Sequence, residues 1–180
     1  IKFYELGFCT GDPLSGNDFD NSTCEKAWQS TSGVSADLSS FNYVGLTSGL
    51  AYKVPSKRYD YAYVIFDPTW GLKGEVYFNN KTYYTDVNGA VKETSGDVDE
   101  AADYSKFQMK INEMSENCAV YSQNTDYGQA KARLTNTNLV TATNQTLCDN
   151  ATRMVGSVEL SNPIVVTDNV KAYQLTWIIR

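Results

Sequence analysis

The chain reads as an all-β protein: a single β-sandwich, jelly-roll or immunoglobulin-like, of about ten short antiparallel strands with little helix. One domain is expected over residues 1–180. Three observations lead there. Arg58 to Phe66 alternates cleanly, with Tyr59, Tyr61, Tyr63 and Ile65 on one face and Ala62, Val64 and Phe66 on the other. Turn signals at Asp67-Pro68, Asn79-Asn80, Asn88-Gly89 and Asn162-Pro163 cut the chain into short pieces. Helical spacing is confined to brief stretches.

In chain order, Ile1 to Cys9 is a strand from its first residue, with Ile1 and Phe3 on one face and Tyr4, Leu6 and Phe8 on the other. Apolar side chains on both faces call for cover on both sides. Thr10 to Thr23 is a loop rich in Gly, Asp, Asn and Ser, bounded by Cys9 and Cys24. Glu25 to Ser32 is a short strand around Trp28, and Gly33 to Ser40 a polar connector. Phe41 to Val54 is broken by Gly45 and Gly49. Arg58 to Phe66 stops at Asp67-Pro68, because proline donates nothing to a ladder. Gly74 to Phe78 and Thr82 to Thr85 form a hairpin across Asn79-Asn80-Lys81, and Asn88-Gly89 suits a type I′ turn into Ala90 to Glu93. Together they make a meander.

Helical turns are expected at Gly96 to Tyr104, where acidic residues flank Ala101-Ala102, and at Ala130 to Leu134. Phe107, Met109 and Ile111 alternate with Gln108 and Lys110 as a strand, and Cys118 to Ser122 is β-like. Leu139 to Thr143 and Met154 to Leu160 are further strands, and Asn162-Pro163 marks a turn before Ile164-Val165-Val166. Val170 to Arg180 closes the chain as a half-buried strand, with Tyr173, Leu175, Trp177 and Ile179 on one face.

A chain of 180 residues with 42% hydrophobic content is long enough to bury a core. Its net charge of −6 repels phosphate backbones and anionic lipid, so neither nucleic acid nor a membrane surface is an expected partner. The apolar runs fall far short of the roughly 20 residues needed to span a bilayer, so no membrane insertion is expected.

The 4 cysteines, Cys9, Cys24, Cys118 and Cys148, come with no CxxC and no histidine, which points away from zinc and toward disulfides in an oxidising compartment. Neighbour pairing is the preferred connectivity, and Cys9–Cys24 would then close a loop of about 15 residues worth about 3 kcal/mol. The chain opens without methionine, which fits an extracellular or cell-surface protein whose signal peptide has been removed. Sequons at Asn21, Asn80, Asn144 and Asn150 are candidate glycosylation sites, although a composition rich in Asn, Ser and Thr produces several by chance.

The absence of histidine removes Ser-His-Asp and Cys-His nucleophilic sites and the commonest general base. No phosphate-cradling loop or dinucleotide fingerprint occurs. Carboxylates such as Asp60 and Glu75 could in principle serve glycoside hydrolysis, but any acidic protein offers such pairs, so no enzyme, catalytic residue or cofactor is expected. Asn17-Asp18-Phe19-Asp20-Asn21, and Asp97-Val98-Asp99-Glu100 with Asp103, carry oxygen ligands. Neither has EF-hand spacing, so both read as solvated acidic loops rather than metal sites. The 13 Tyr and 3 Trp could stack on sugars, but for Tyr59, Tyr61 and Tyr63 sheet packing is preferred, with at most one such row left as a binding face. Lys53, Lys57 and Arg58 around Pro55 read as a solvated turn.

The apolar first strand and the strand-like last segment favour assembly. A first strand that needs cover on both sides lies either in the centre of its own sheet or in another subunit, to which Ile1, Phe3, Tyr4, Leu6 and Phe8 would then present an interface. The order of strand, Cys9–Cys24 loop and Tyr-rich strand Tyr59 to Phe66, followed by Lys73-Gly74-Glu75-Val76-Tyr77-Phe78 and Tyr83-Tyr84-Thr85, resembles secreted β-sandwich filament subunits polymerised by donor strands. These are the TasA and camelysin-like group and archaeal bundling pili, together with uncharacterised secreted marine microbial proteins; the paired cysteines depart from the TasA pattern. The resemblance implies the subunit of an extracellular filament or surface layer, with itself as partner. The alternatives are a secreted carbohydrate- or surface-binding module, for which glycans are the partners, and a viral surface or decoration protein.

Overall fold

The computed structural model describes residues 1–37, 46, 48–85, 91–94, 107–114, 117–126, 128–170 and 172, with the backbone alone at 76, 78, 91–94 and 107. Over these residues the chain is mostly β, with antiparallel sheets and almost no helix. The strands are β1 (Lys2–Cys9), β2 (Cys24–Ser35), β3 (Leu50–Ala51), β4 (Arg58–Phe66), β5 (Thr69–Leu72) and β6 (Glu75–Phe78). They continue with β7 (Lys81–Thr85), β8 (Val91–Thr94), β9 (Phe107–Lys110), β10 (Val120–Thr125), β11 (Gly128–Thr135) and β12 (Arg153–Val165), and α1 (Gln145–Asp149) precedes the last strand. Where one domain is expected, the chain divides into two compact units, Ile1–Pro68 with Asn112–Arg180, and Thr69–Ile111.

The first unit is built on a seven-stranded sheet in the order β10-β11-β12-β4-β1-β2-β3. The strand with apolar residues on both faces, β1, lies inside this sheet and pairs with β2 on one edge and β4 on the other. That position explains its composition, since a central strand covered on both faces has no solvent side to keep polar. Ile1, Phe3, Tyr4, Leu6 and Phe8, expected at a subunit interface, are thus held by this chain's own neighbours, with Phe3 and Tyr4 buried and the other three half-buried. Both of its ladders shift register between Phe3 and Glu5. A bulge there inserts Tyr4 as an extra residue and reverses the parity of every later position in the strand. Tyr4 therefore packs with Cys9, Leu14, Tyr63, Ile65 and Val155, not with Phe8, which lies against a second cluster of Ala27, Val54, Tyr59 and Val166.

The β4–β12 ladder breaks in the same way. Two steps along β4, from Tyr61 to Tyr59, match five along β12, from Glu159 to Ile164. Asn162-Pro163, expected as a turn, sits in that lapse of pairing, where a missing N–H costs no ladder bond. Tyr59 belongs to the second cluster while Tyr63 belongs to the first, although strict alternation puts them on one face.

Other expectations are corrected. Ala130 to Leu134 is no helical turn: it lies within β11, which pairs in unbroken register with β10 and β12. Gln129, Lys131 and Arg133 alternate with Ala130, Ala132 and Leu134, and two ladders outweigh the local helix propensity of Ala, Lys and Leu. Leu139 to Thr143 is a loop in which Leu139 takes φ 63° and Thr141 makes one isolated bridge to Thr135. The connector expected from Gly33 begins later, because β2 runs on to Ser35 through Gly33 at φ 74°. β5 was hidden by Pro68, which ends β4 but does not keep the chain from resuming a strand at Thr69.

In the second unit, β6, β7 and β8 form the expected meander, and β5 pairs with β9 in a sheet of their own. Asn79 and Asn80 both take positive φ, 53° and 61°, so the β6–β7 turn has two residues of type I′ geometry, with Lys81 already in the strand. The Asn88-Gly89 turn, the Gly96 to Tyr104 helical turn and most of the Val170 to Arg180 strand lie outside the described residues.

Candidate functional site

Three features of the first unit carry chemistry: the loop between the first two cysteines, the groove at its rim, and the β10 edge. The loop is a lid. Cys9 and Cys24 are register partners on β1 and β2 and are joined as a disulfide, so the loop leaves and re-enters adjacent strands. It folds back so that Leu14 is buried at 1% exposure and Phe19 stacks at 5.2 Å on Tyr63. Polar contacts hold it down. Asp12 accepts from Leu14 N and from Lys131 Nζ, Arg133 Nη2 donates to Leu14 O, and Thr141 donates to Asp18 Oδ1 at 2.8 Å and Asn17 O at 2.7 Å. Asp20 accepts from Ser22, which lowers its pKa. The loop's acidic residues thus serve as internal acceptors. Among the described residues no group of three or more His, Cys, Asp and Glu is placed to hold a metal.

Beneath the lid lies a buried polar contact. A Cβ on Gly7 would come within 2.4 Å of both Glu25 O and the Tyr63 ring, so only glycine lets that ring lie across β1. The Tyr63 hydroxyl then donates to Glu5 Oε1 at 2.7 Å, and Lys26 Nζ pairs with Glu5 Oε2 at 3.0 Å. Burial, and after it the hydrogen bond to Glu5 and the charges of Glu5 and Glu25, push the Tyr63 phenol far above the usual tyrosine range. In the unfolded chain the same phenol ionises near pH 10. The stabilisation is therefore fully present below about pH 10 and is lost as pH rises above it, since the unfolded state gives up its proton first. Alkaline titration followed at 295 nm should show buried tyrosines, Tyr63 among them, that ionise only together with loss of the folded circular dichroism signal, and Tyr63→Phe should remove one of them. Tyr63→Phe should flatten that alkaline decline, and an unchanged decline in the variant would disprove the assignment.

The groove exists because β12 loses its pairing. Thr10, Gly11 and Asp12 from the lid, Asp60 and Tyr61 from β4, and Glu159, Leu160, Ser161 and Pro163 from β12 surround an open polar space of about 450 Å³. Arg58 also lines it and donates through Nε and Nη2 to Asp60 Oδ1. Burial first, then the charges of Glu159, Asp12 and Asp60, raise the Tyr61 pKa. The groove offers carboxylate acceptors, a guanidinium donor and one half-buried ring.

β10 is the third feature. It pairs with β11 at each of its six positions without a register shift, and no second described strand pairs with it; at its start Val120 bridges to Asn117, whose carbonyl accepts from Val120 N at 3.2 Å. The segment Val-Tyr-Ser-Gln-Asn-Thr has no charge, proline, glycine or bulge, the devices by which edges are usually blunted. Its base is anchored by the disulfide from Cys118 to the buried Cys148 of α1. The helix that carries Cys148 is capped by Asn144, whose side chain accepts from Leu147 N.

Both disulfides follow the neighbour pairing expected for Cys9, Cys24, Cys118 and Cys148. Asn21, Asn80, Asn144 and Asn150 are all exposed, and Asn144 and Asn150 also cap the two ends of α1. The tyrosine row does not form one platform: Tyr59 and Tyr63 are buried and Tyr61 alone lines the groove. Lys53, Lys57 and Arg58 each face a carboxylate, Asp168, Glu25 and Asp60 respectively, as a solvated turn would. The open edge was missed because edge position is a property of the sheet order; its only trace in the sequence is an uncharged strand in an acidic chain. No family model matches the chain, and neither a curated protein nor a solved structure is found to be similar to it.

Proposed function

We propose that this chain is the subunit of an extracellular filament or surface layer, a disulfide-stapled β-sandwich with the seven-stranded sheet as its main layer, which self-assembles by β-strand addition. The observation that carries this reading is the outer edge of β10, a regular, uncharged strand that, among the described residues, has β11 as its one partner strand and beyond Val120, which bridges to Asn117, none of the usual protection. The two disulfides suit an oxidising compartment, and no described helix is long and apolar enough to cross a membrane. Strand addition at this edge leaves β1 in place. Donation of β1 itself would have to open ladders on both sides and work against the Cys9–Cys24 bond at its base.

A second reading, a secreted module that binds carbohydrate, has the groove around Tyr61 in its favour, with Asp12, Asp60, Glu159 and Arg58 able to bond sugar hydroxyls. Electron microscopy of the purified, disulfide-intact protein over a concentration series separates the two. Regular polymers are the expected result. A monodisperse monomer that binds glycans would sink the filament reading.

A further inference from the structure

We infer that the groove around Tyr61 takes an amino sugar in its ammonium form, with the sugar ring against Tyr61 and the ammonium against Glu159. The inference rests on the carbohydrate reading given second above and narrows it to one class of sugar; it does not depend on polymerisation. The groove is a notch in the sheet rather than a patch on one face. Successive residues of a strand point to opposite faces, yet Asp60 and Tyr61 both line it. They do so because β12 withdraws from β4 between Glu159 and Ile164, so that Asp60 has no register partner on β12. A ligand in the notch meets an aromatic ring and carboxylates together.

Tyr61 packs against the first core cluster and also lines the groove, so its ring is braced by the core and still borders the open space. The C–H face of a pyranose is weakly positive and lies flat on the negative face of such a ring. Glu159 is the register partner of Tyr61 on the adjacent strand. Residues directly opposite one another point to the same face with Cβ atoms about 5 Å apart, so the carboxylate stands beside the ring. The Arg58 fork takes only Oδ1 of Asp60, which leaves Oδ2 to accept a sugar hydroxyl.

Charge decides the class of sugar. Asp60 is matched by Arg58 and Asp12 by Lys131, whereas Glu159 pairs with no cation among the described residues. The field at the ring has the same sign: after burial, the charges of Glu159, Asp12 and Asp60 raise the Tyr61 pKa. A neutral sugar uses the ring and the acceptors but leaves the Glu159 charge unmatched, and an acidic sugar is repelled by it. A bare ammonium meets Glu159 but has no face to lay on the ring and no hydroxyl for Asp60. An amino sugar satisfies all of them, and the space of about 450 Å³ is within the range of small-ligand sites.

The test titrates the oxidised, isotopically labelled full chain under NMR with a short glucosamine oligomer, its fully N-acetylated counterpart and spermidine, at a pH where the amines are protonated. Shifts are expected at Tyr61, Glu159 and Ser161. The glucosamine oligomer should bind about fivefold more tightly than the acetylated one, the worth of one exposed ion pair, and added salt should narrow the gap. Glu159→Gln changes an exposed side chain, so the fold should be retained, and it should erase the difference. Tyr61→Leu keeps apolar bulk against the core and should weaken both sugars; circular dichroism verifies its fold, and if it unfolds, Glu159→Gln carries the test. An acetylated oligomer that binds as tightly as the amine, or a Glu159→Gln protein that keeps the preference, overturns the inference and leaves the carbohydrate reading standing. Spermidine that binds as tightly as the glucosamine oligomer overturns it in favour of a plain ammonium site. A groove that binds no probe at millimolar concentration overturns it together with the carbohydrate reading.

Discussion

Tyr59→Ala should cost about 4 kcal/mol of folding free energy and lower Tm by roughly 12 °C, as expected for deleting a fully buried aromatic ring from a chain of this size. Tyr59 is 0% exposed. Its ring packs on Phe8 at 5.9 Å within the cluster of Ala27, Val54 and Val166, and its hydroxyl donates to Pro55 O at 3.0 Å. Tyr59→Phe keeps the ring and loses only that hydrogen bond, so about 1 kcal/mol is expected. Thermal and urea melts of both variants read the difference. The contrast bears on function, since an exposed sugar-stacking tyrosine could be cut to alanine with little effect on Tm. A Tyr59→Ala protein as stable as the parent would show that the ring is not core and would return the tyrosine row to consideration as a binding face.

Cys9→Ala/Cys24→Ala should cost about 3 kcal/mol, from the freed entropy of a loop of about 15 residues, and lower Tm by roughly 9 °C. The loss should not be uniform. The bond closes the loop that carries Leu14 and Phe19 over Tyr63, so the lid should loosen before the sheet does. Amide exchange followed by mass spectrometry should show faster exchange over residues 10–23, with β4 and β12 still protected. The same experiment addresses assembly. With the staple gone, β1 is still paired to β2 and β4, so assembly by strand addition at the sheet's edge should be unchanged wherever the variant remains folded. Association that strengthens instead would favour donation of β1, the alternative that the disulfide works against.

These expectations differ from what the chain alone suggested because covering a strand and assembling through it are separate matters. The apolar start of the chain demanded cover on both faces, and that demand was legible. It is met within the chain, by the Leu14–Phe19 lid over Tyr4 and Cys9 and by the cluster of Ala27, Val54, Tyr59 and Val166 against Phe8. At one end of the sheet stands β10, which among the described residues has one partner strand and whose last four residues, Ser122 to Thr125, are polar and carry no apolar pattern to mark them. Likewise the tyrosine alternation was legible, but the rings divide between two clusters, and the bulge at Tyr4 and the lapse between Glu159 and Ile164 shift the strands on either side of them. An extra residue in one strand is visible only against the strand it pairs with.

The sequence by itself determined the all-β class, the long strand at Arg58–Phe66 and the β6–β8 meander, and it preferred, without deciding, the neighbour pairing of the four cysteines. Each of these depends on residues close together in the chain, where alternation, turn chemistry and short loop closure act locally. Only the tertiary structure decided that β1 is central, that β11 is a strand, that Glu5 is buried against Tyr63 and Lys26, and that β10 is an end strand of the described sheet. Those depend on which distant strands become neighbours, and a strand's own residues do not record whether it has one partner or two.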